Sequence, residues 1–165
     1  SFQITSKHPR LYGDEAPWGE YKSPDGRFAI LSAGVPRFKE ENVATKYGSL
    51  SLRSHVFSDR GLNFVVSYVD YSEKEIGELG SEEILKSVRE GIEKKGGGKA
   101  KDLRKIEIDG HEGRAFSMSS AESPYTMKVR LYLVDNRLYQ LLVVYPESSK
   151  ELDYVDIFLK SFRLL

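Results

Sequence analysis

Between Met127 and Tyr145 the hydrophobic pattern changes character twice. Met127, Val129, Leu131 and Leu133 alternate with Lys128, Arg130 and Tyr132, the period of a strand with one face in a core. Asp135-Asn136 follows, and both residue types tolerate the positive φ of a tight hairpin turn. The returning run, Leu138-Tyr-Gln-Leu-Leu-Val-Val-Tyr145, is apolar on both faces, as in a strand covered on both sides. Turn chemistry favours a two-residue connection, which sends Leu131 and Leu141 to opposite faces. A three-residue loop is the alternative, and it would move every returning side chain to the other face. After Pro146, Ser148-x-x-Glu151 reads as a capping box. The helix that it opens carries one apolar stripe of Leu152, Val155, Phe158, Leu159 and Phe162.

Upstream, Ser1 to Pro24 is polar and punctuated by Pro9, Pro17 and Pro24. It reads as an extended arm over residues 1–20, with Trp18 as an anchor, leading into one domain over 21–165. Pro24-Asp25-Gly26 is a turn, and Arg27 to Leu31 a short strand ended by Gly34 and Pro36. A second strand runs through Leu50, Leu52 and Val56. Asp59-Arg60-Gly61 turns it into a third, with Leu62, Phe64, Val66 and Tyr68 on one face and Val65 and Val69 on the other. Ser81 is expected to cap a helix with Glu82 and Glu83 in its first turn and Ile84, Leu85, Val88 and Ile92 as its buried stripe. Lys94 and Lys95 suit the end of that helix, and Gly96-Gly97-Gly98 stops it. Arg104 to Asp109 and Arg114 to Ser120 read as a strand pair around Gly110-His111-Glu112-Gly113. The order β-β-β-α-β-β-β-β-α implies an α+β fold, a mainly antiparallel sheet of six to seven strands with helices on its faces.

Composition narrows the function classes. The 165 residues suffice for one domain with a sizeable core. Lys and Arg total 25 and Asp and Glu total 25, so no global charge points to nucleic acid or to an acidic membrane surface. There is no cysteine, which removes a disulfide frame, a thiolate nucleophile and a thiolate zinc site. No apolar run approaches the roughly 18 residues of a membrane span. The chain opens at Ser1 rather than Met, which raises the expectation of a removed signal, transit or lipid-anchor segment. With it comes an expectation of peripheral membrane association, in an extracytoplasmic setting (secreted, periplasmic or lipid-anchored) or a thylakoid lumen rather than the cytoplasm.

Several of these fragments resemble the PsbP-like family, relatives of an extrinsic protein of the photosystem II oxygen-evolving complex. They are Tyr21-x-x-x-Asp25-Gly26-x-Phe28 leading to Pro36, and Ile76-Gly-Glu-Leu-Gly80-Ser81 through Val88. Asp109-Gly110, Leu138-Tyr139 and the terminal Ser161-Phe162 complete the set, in order from Tyr21 to Leu165. The resemblance implies an α-β-α sandwich, used in non-enzymatic binding and assembly proteins, among them a nuclear Ran-binding protein. It also extends to domains of bacterial secreted and lipid-anchored proteins. The segment Ser1 to Glu20 departs from the family's docking tail.

Catalytic chemistry finds little footing. There is no Gly-x-Ser-x-Gly elbow, and the serines lie in loops and caps. Asp109, His111 and Glu112 are the one stretch where carboxylates and an imidazole gather as weak metal candidates, although a Gly- and Asp-rich turn is also what any hairpin wants. Gly96-Gly97-Gly98-Lys99 is not a phosphate loop, because its glycines follow a helix instead of preceding one. Lys94, Lys95, Lys99, Lys101, Arg104 and Lys105 carry only Asp102 as a local counter-charge. They are the candidate surface for an acidic protein or a lipid headgroup, set against the plain role of a solvated, solubilising loop. No aromatics interleave them, which argues against nucleic acid. The expectation is a non-enzymatic, cofactor-free module whose partner is another protein. The alternative is a small-ligand or metal-binding protein using the Asp109-His111-Glu112 turn or a sheet–helix pocket.

Overall fold

The computed structural model describes residues 2–4, 18–45, 48–150 and 152–165. Seven strands form one antiparallel sheet: β4 (Arg37–Thr45), β5 (Gly48–Asp59), β6 (Leu62–Asp70), β10 (Arg137–Pro146), β9 (Tyr125–Val134), β8 (His111–Ser119) and β7 (Lys101–Ile108), in that spatial order. A second, four-stranded sheet has the order β1 (Phe2–Ile4), β2 (Trp18–Ser23), β3 (Phe28–Ala33) and β11 (Arg163–Leu164). Helix α1 (Glu73–Gly96) lies on one face of the large sheet. Helix α2 (Leu152–Ser161) and the second sheet lie on the other. The result is an α-β-α sandwich.

The central hairpin has the two-residue turn, because Val134 pairs with Arg137 and Asp135 takes φ 55°. Leu131 therefore joins the α1 side and Leu141 the α2 side, both fully buried. The tip is docked: Asn136 accepts a hydrogen bond from the Tyr71 N–H at 2.8 Å and donates its side-chain amide to the Tyr71 carbonyl at 2.9 Å. On the α2 side, Phe158 sits 5.0 Å from Phe64, and Phe162 stacks on Tyr132 at 5.9 Å between ring centres. Trp18 lies 5.1 Å from Phe64 and 4.9 Å from Tyr154, and its indole N–H donates to Asp59 at 2.9 Å. These aromatic contacts add to area burial by fixing ring geometry. The second sheet is also tied by polar contacts. The Tyr139 hydroxyl donates to the Gly26 carbonyl at 2.5 Å. Arg137 grips both oxygens of Asp70 at 2.7 and 2.8 Å and reaches the Asp25 carbonyl at 2.9 Å.

Four features differ from the sequence reading. The strand expected at Arg27 to Leu31 belongs to the second sheet, where all six residues of β3 are buried. Gly34 and Pro36 do end β3, but an unexpected strand, β4, follows at once, and its mostly exposed, charged residues leave no periodic signal. Strand β2 begins at Trp18, inside the stretch read as an arm, and residues 5–17 of that stretch fall outside the described residues. Helix α1 begins a full two turns before Ser81. Ser72 is its cap, accepting the Glu75 N–H at 3.1 Å and donating to the Glu75 carboxylate at 3.0 Å. Gly80, at φ 76° and ψ 160°, breaks it into two segments, and the Ser81 hydroxyl donates to Glu112 instead of capping. The box proposed for α2 rests on Glu151, which lies outside the described residues.

Candidate functional site

The six cations singled out from sequence cluster where α1 ends and β7 begins. Lys94 and Lys95 occupy the last turn of α1, where a helix favours positive charge. Gly97 closes the helix at φ 70°, its N–H donating to the Glu93 carbonyl, a conformation that glycine adopts without steric cost. The connection is held from below by the buried Glu93 side chain. One oxygen of Glu93 accepts from Arg89 at 2.9 Å, and the other accepts the Ala100 N–H at 2.7 Å. The glycine-rich turn therefore presents its lysines from a fixed base. Among the described residues, none of the six cations forms an ion pair with a carboxylate. Lys101 donates to the Ser119 hydroxyl at 2.7 Å, and Arg104 reaches the backbone carbonyl of Asp102 at 3.4 Å rather than its carboxylate. Strand β7 is an edge of the large sheet, and its pairing slips between Lys101 and Arg104, where Asp102 has φ 55°. A bulge and exposed cations are common protections of an edge, and they also leave this corner open to an acidic surface.

The turn weighed as a weak metal candidate does not bring its three side chains together. Asp109 (φ 48°) and Gly110 (φ 81°) form the two-residue turn between β7 and β8, and Ile108 pairs with His111. His111 and Glu112 are neighbours on one strand, so their side chains leave opposite faces of the sheet. Glu112 is already engaged, accepting from the Ser81 hydroxyl at 2.7 Å and from Arg114 at 2.9 Å. The Ser81 hydrogen bond, then Arg114, hold its pKa below the usual carboxylate value. The carboxylate is a strut from β8 to α1. Among the described residues, no three acidic or histidine side chains stand together as a metal site.

The sheet–helix pocket held open as the alternative has a counterpart in the structure, at residues that the sequence did not single out. A cleft of about 480 Å³ runs between α1 and the β4–β5 hairpin, over the β6 part of the large sheet. Its floor and walls include Val43, Leu50, Leu52, Val69, Leu79, Val88 and Ile92, with Thr45, Ser87, Gln140, Glu90 and Lys95 among its polar members. The polar β4 strand hid it: a run that is mostly hydrophilic gave no reason to place a wall there.

No protein-family model and no curated protein matches the chain. The comparison of structures is different. The solution structure of cyanobacterial PsbP from Synechocystis sp. PCC 6803 aligns over 96% of this chain and 98% of its own, with a TM-score of 0.57 at 12% identity. The chain has the PsbP-like fold. At that identity the likeness speaks for architecture alone, and the α-β-α sandwich implied by the sequence resemblance is the architecture present.

Proposed function

We propose that this PsbP-like chain is a non-catalytic binding or assembly module that engages another protein in an extracytoplasmic or photosynthetic-membrane-associated setting. The observation that carries the reading is the cationic corner. Lys94, Lys95, Lys99, Lys101, Arg104 and Lys105 stand on a braced turn and an open sheet edge, without carboxylate partners among the described residues. Such a surface complements an acidic face on a partner and acts mainly through the association rate. The PsbP-like architecture supports a binding role, since the resemblance reaches proteins that assemble with others rather than catalyse.

The test is photo-cross-linking from position 99 in a native extract at low and at raised salt. The expected result is capture of a protein with an acidic surface, weakened by salt because the Debye length is only about 8 Å at physiological ionic strength. Capture should be lost in the triple variant Lys99→Glu, Lys101→Glu, Lys105→Glu, with an unchanged melting temperature. Equal capture by that variant at low salt would remove this corner as a docking surface.

A further inference from the structure

We propose that the cleft between α1 and the β4–β5 hairpin binds a single-chain amphiphile, its acyl chain on the apolar floor and its anionic headgroup at Lys95. The volume of about 480 Å³ falls within the range of roughly 300–1,000 Å³ typical of small-molecule sites. The shape is long. Its lining on the unbroken part of α1 extends from Ile84 to Lys95, a path of about 16 Å at the rise of a helix. A compact polar ligand would need donors and acceptors converging on one point. Here the floor is Leu50, Leu52 and Val69, the α1 wall is Val88 and Ile92, and the polar members are divided among β4 (Thr45), α1 (Ser87, Glu90, Lys95) and β10 (Gln140). An acyl chain is recognised by such a surface, since burial of methylene groups needs no directional contact.

The charge on the cleft fixes the headgroup. Glu90 has Lys86 within 3.9 Å. Lys95 has no ion pair among the described residues, and Lys94 precedes it on the same exposed helix end. The cleft thus ends at an uncommitted cation, the complement of a carboxylate or phosphate at the end of a chain. Lys99, Lys101 and Lys105 do not line it, so the failure of this assignment leaves the protein-docking reading standing, and the reverse holds too.

The experiment titrates the full chain with hexadecanoate below its micelle concentration, followed by calorimetry and by amide resonance shifts. One saturable site is expected, with the shifts centred on Leu50, Leu52 and Val88. Val88→Trp, which fills the cleft, should abolish binding at a retained melting temperature, and Leu50→Trp repeats the test from the sheet side if the first variant fails to fold. Lys95→Glu should weaken hexadecanoate about fivefold or more, the scale of one screened charge reversal, and leave the uncharged hexadecanol unaffected. A lysophospholipid with an anionic headgroup that behaves like hexadecanoate assigns the site to membrane-derived lipid, and one that does not bind assigns it to free fatty acid. Absence of a saturable site, binding that survives both tryptophan variants, or indifference to Lys95→Glu would overturn the proposal. So would dissociation of a dimer by Val88→Trp, which would make the cleft an interface between copies.

Discussion

The two faces of the large sheet are covered by different means. On the α2 side, Phe57, Phe64, Tyr68, Tyr139 and Val143 meet Trp18, Phe28, Tyr154, Phe158 and Phe162, and each of these is buried. On the α1 side, Ile84 and Leu85 bury themselves against Phe116, Val129 and Leu131, while Leu50, Leu52, Val88 and Ile92 are only partly buried. Geometry explains the difference. Seven strands at about 4.8 Å spacing make a surface about 30 Å wide, and one helix with its side chains is about 10–12 Å across. A helix together with a second sheet closes such a face. A single helix packed over β8 and β9 does not, and the cleft is the remainder. The closed face is built for stability, and the open one keeps apolar surface that a ligand can cover.

Paired substitutions break this comparison if it is wrong. Phe158→Ala on the closed face should cost about 3–5 kcal/mol in denaturant unfolding, the usual loss for a large buried ring. Val88→Ala beside the cleft should cost about 1 kcal/mol or less, since roughly two half-exposed methylene equivalents are removed. Equal costs would mean that the α1 side is as tightly packed as the other.

The hinge of α1 sharpens the comparison. Gly80 has open space where a Cβ would go, but a φ of 76°, so Gly80→Ala should destabilise by about 1–3 kcal/mol through backbone strain alone. Gly77 has equal space and no such φ. Gly77→Ala should therefore stabilise by about 0.5–1 kcal/mol. If both alanines had the same sign in thermal denaturation, the break at Gly80 would be absent in solution.

The smallest expected effect is a pH slope on the closed face. His55 is buried among Tyr21 at 5.7 Å, Phe28 at 5.2 Å, Phe38 at 5.4 Å and Tyr68 at 6.1 Å. Burial lowers its pKa below the ordinary 6.5, with the Val66 backbone and the Asp25 charge partly offsetting that. The unfolded chain thus takes up this proton at higher pH than the folded one. Stability from His55 is full above pH 6.5 and declines as pH falls from 6.5 to the lowered value. Asp70, Glu20 and Glu112, all held low by their partners, add further losses only at more acidic pH, below about 5. Denaturant midpoints across this window should fall for the natural chain and fall less for His55→Phe. Parallel slopes would place the proton elsewhere.

How much of this was legible follows from which signals are local. The hairpin Met127 to Tyr145 was readable because alternation, turn chemistry and a doubly apolar return strand agree with one another, and the pairing of Val134 with Arg137 is what they imply. The order of such elements implied an α+β fold, and the resemblance of its fragments to the PsbP-like family implied the sandwich. The cationic run was visible as composition, and Lys94 and Lys95 as a helix end. Other elements have no local signature. Strand β4 is polar because it is an edge, and it is a strand only because β5 offers it partners from Val56 to Gly48. Strand β3 reads like any buried strand, and only packing assigned it to the second sheet. Glu112 came up as a weak metal candidate only because its neighbours in sequence are Asp109 and His111. In space its neighbours are Ser81 and Arg114, since successive strand residues face opposite ways. The sequence by itself determined which stretches must bury one face. Tertiary structure alone decided how completely each face is covered, because coverage depends on the width of the assembled sheet against that of the elements laid on it.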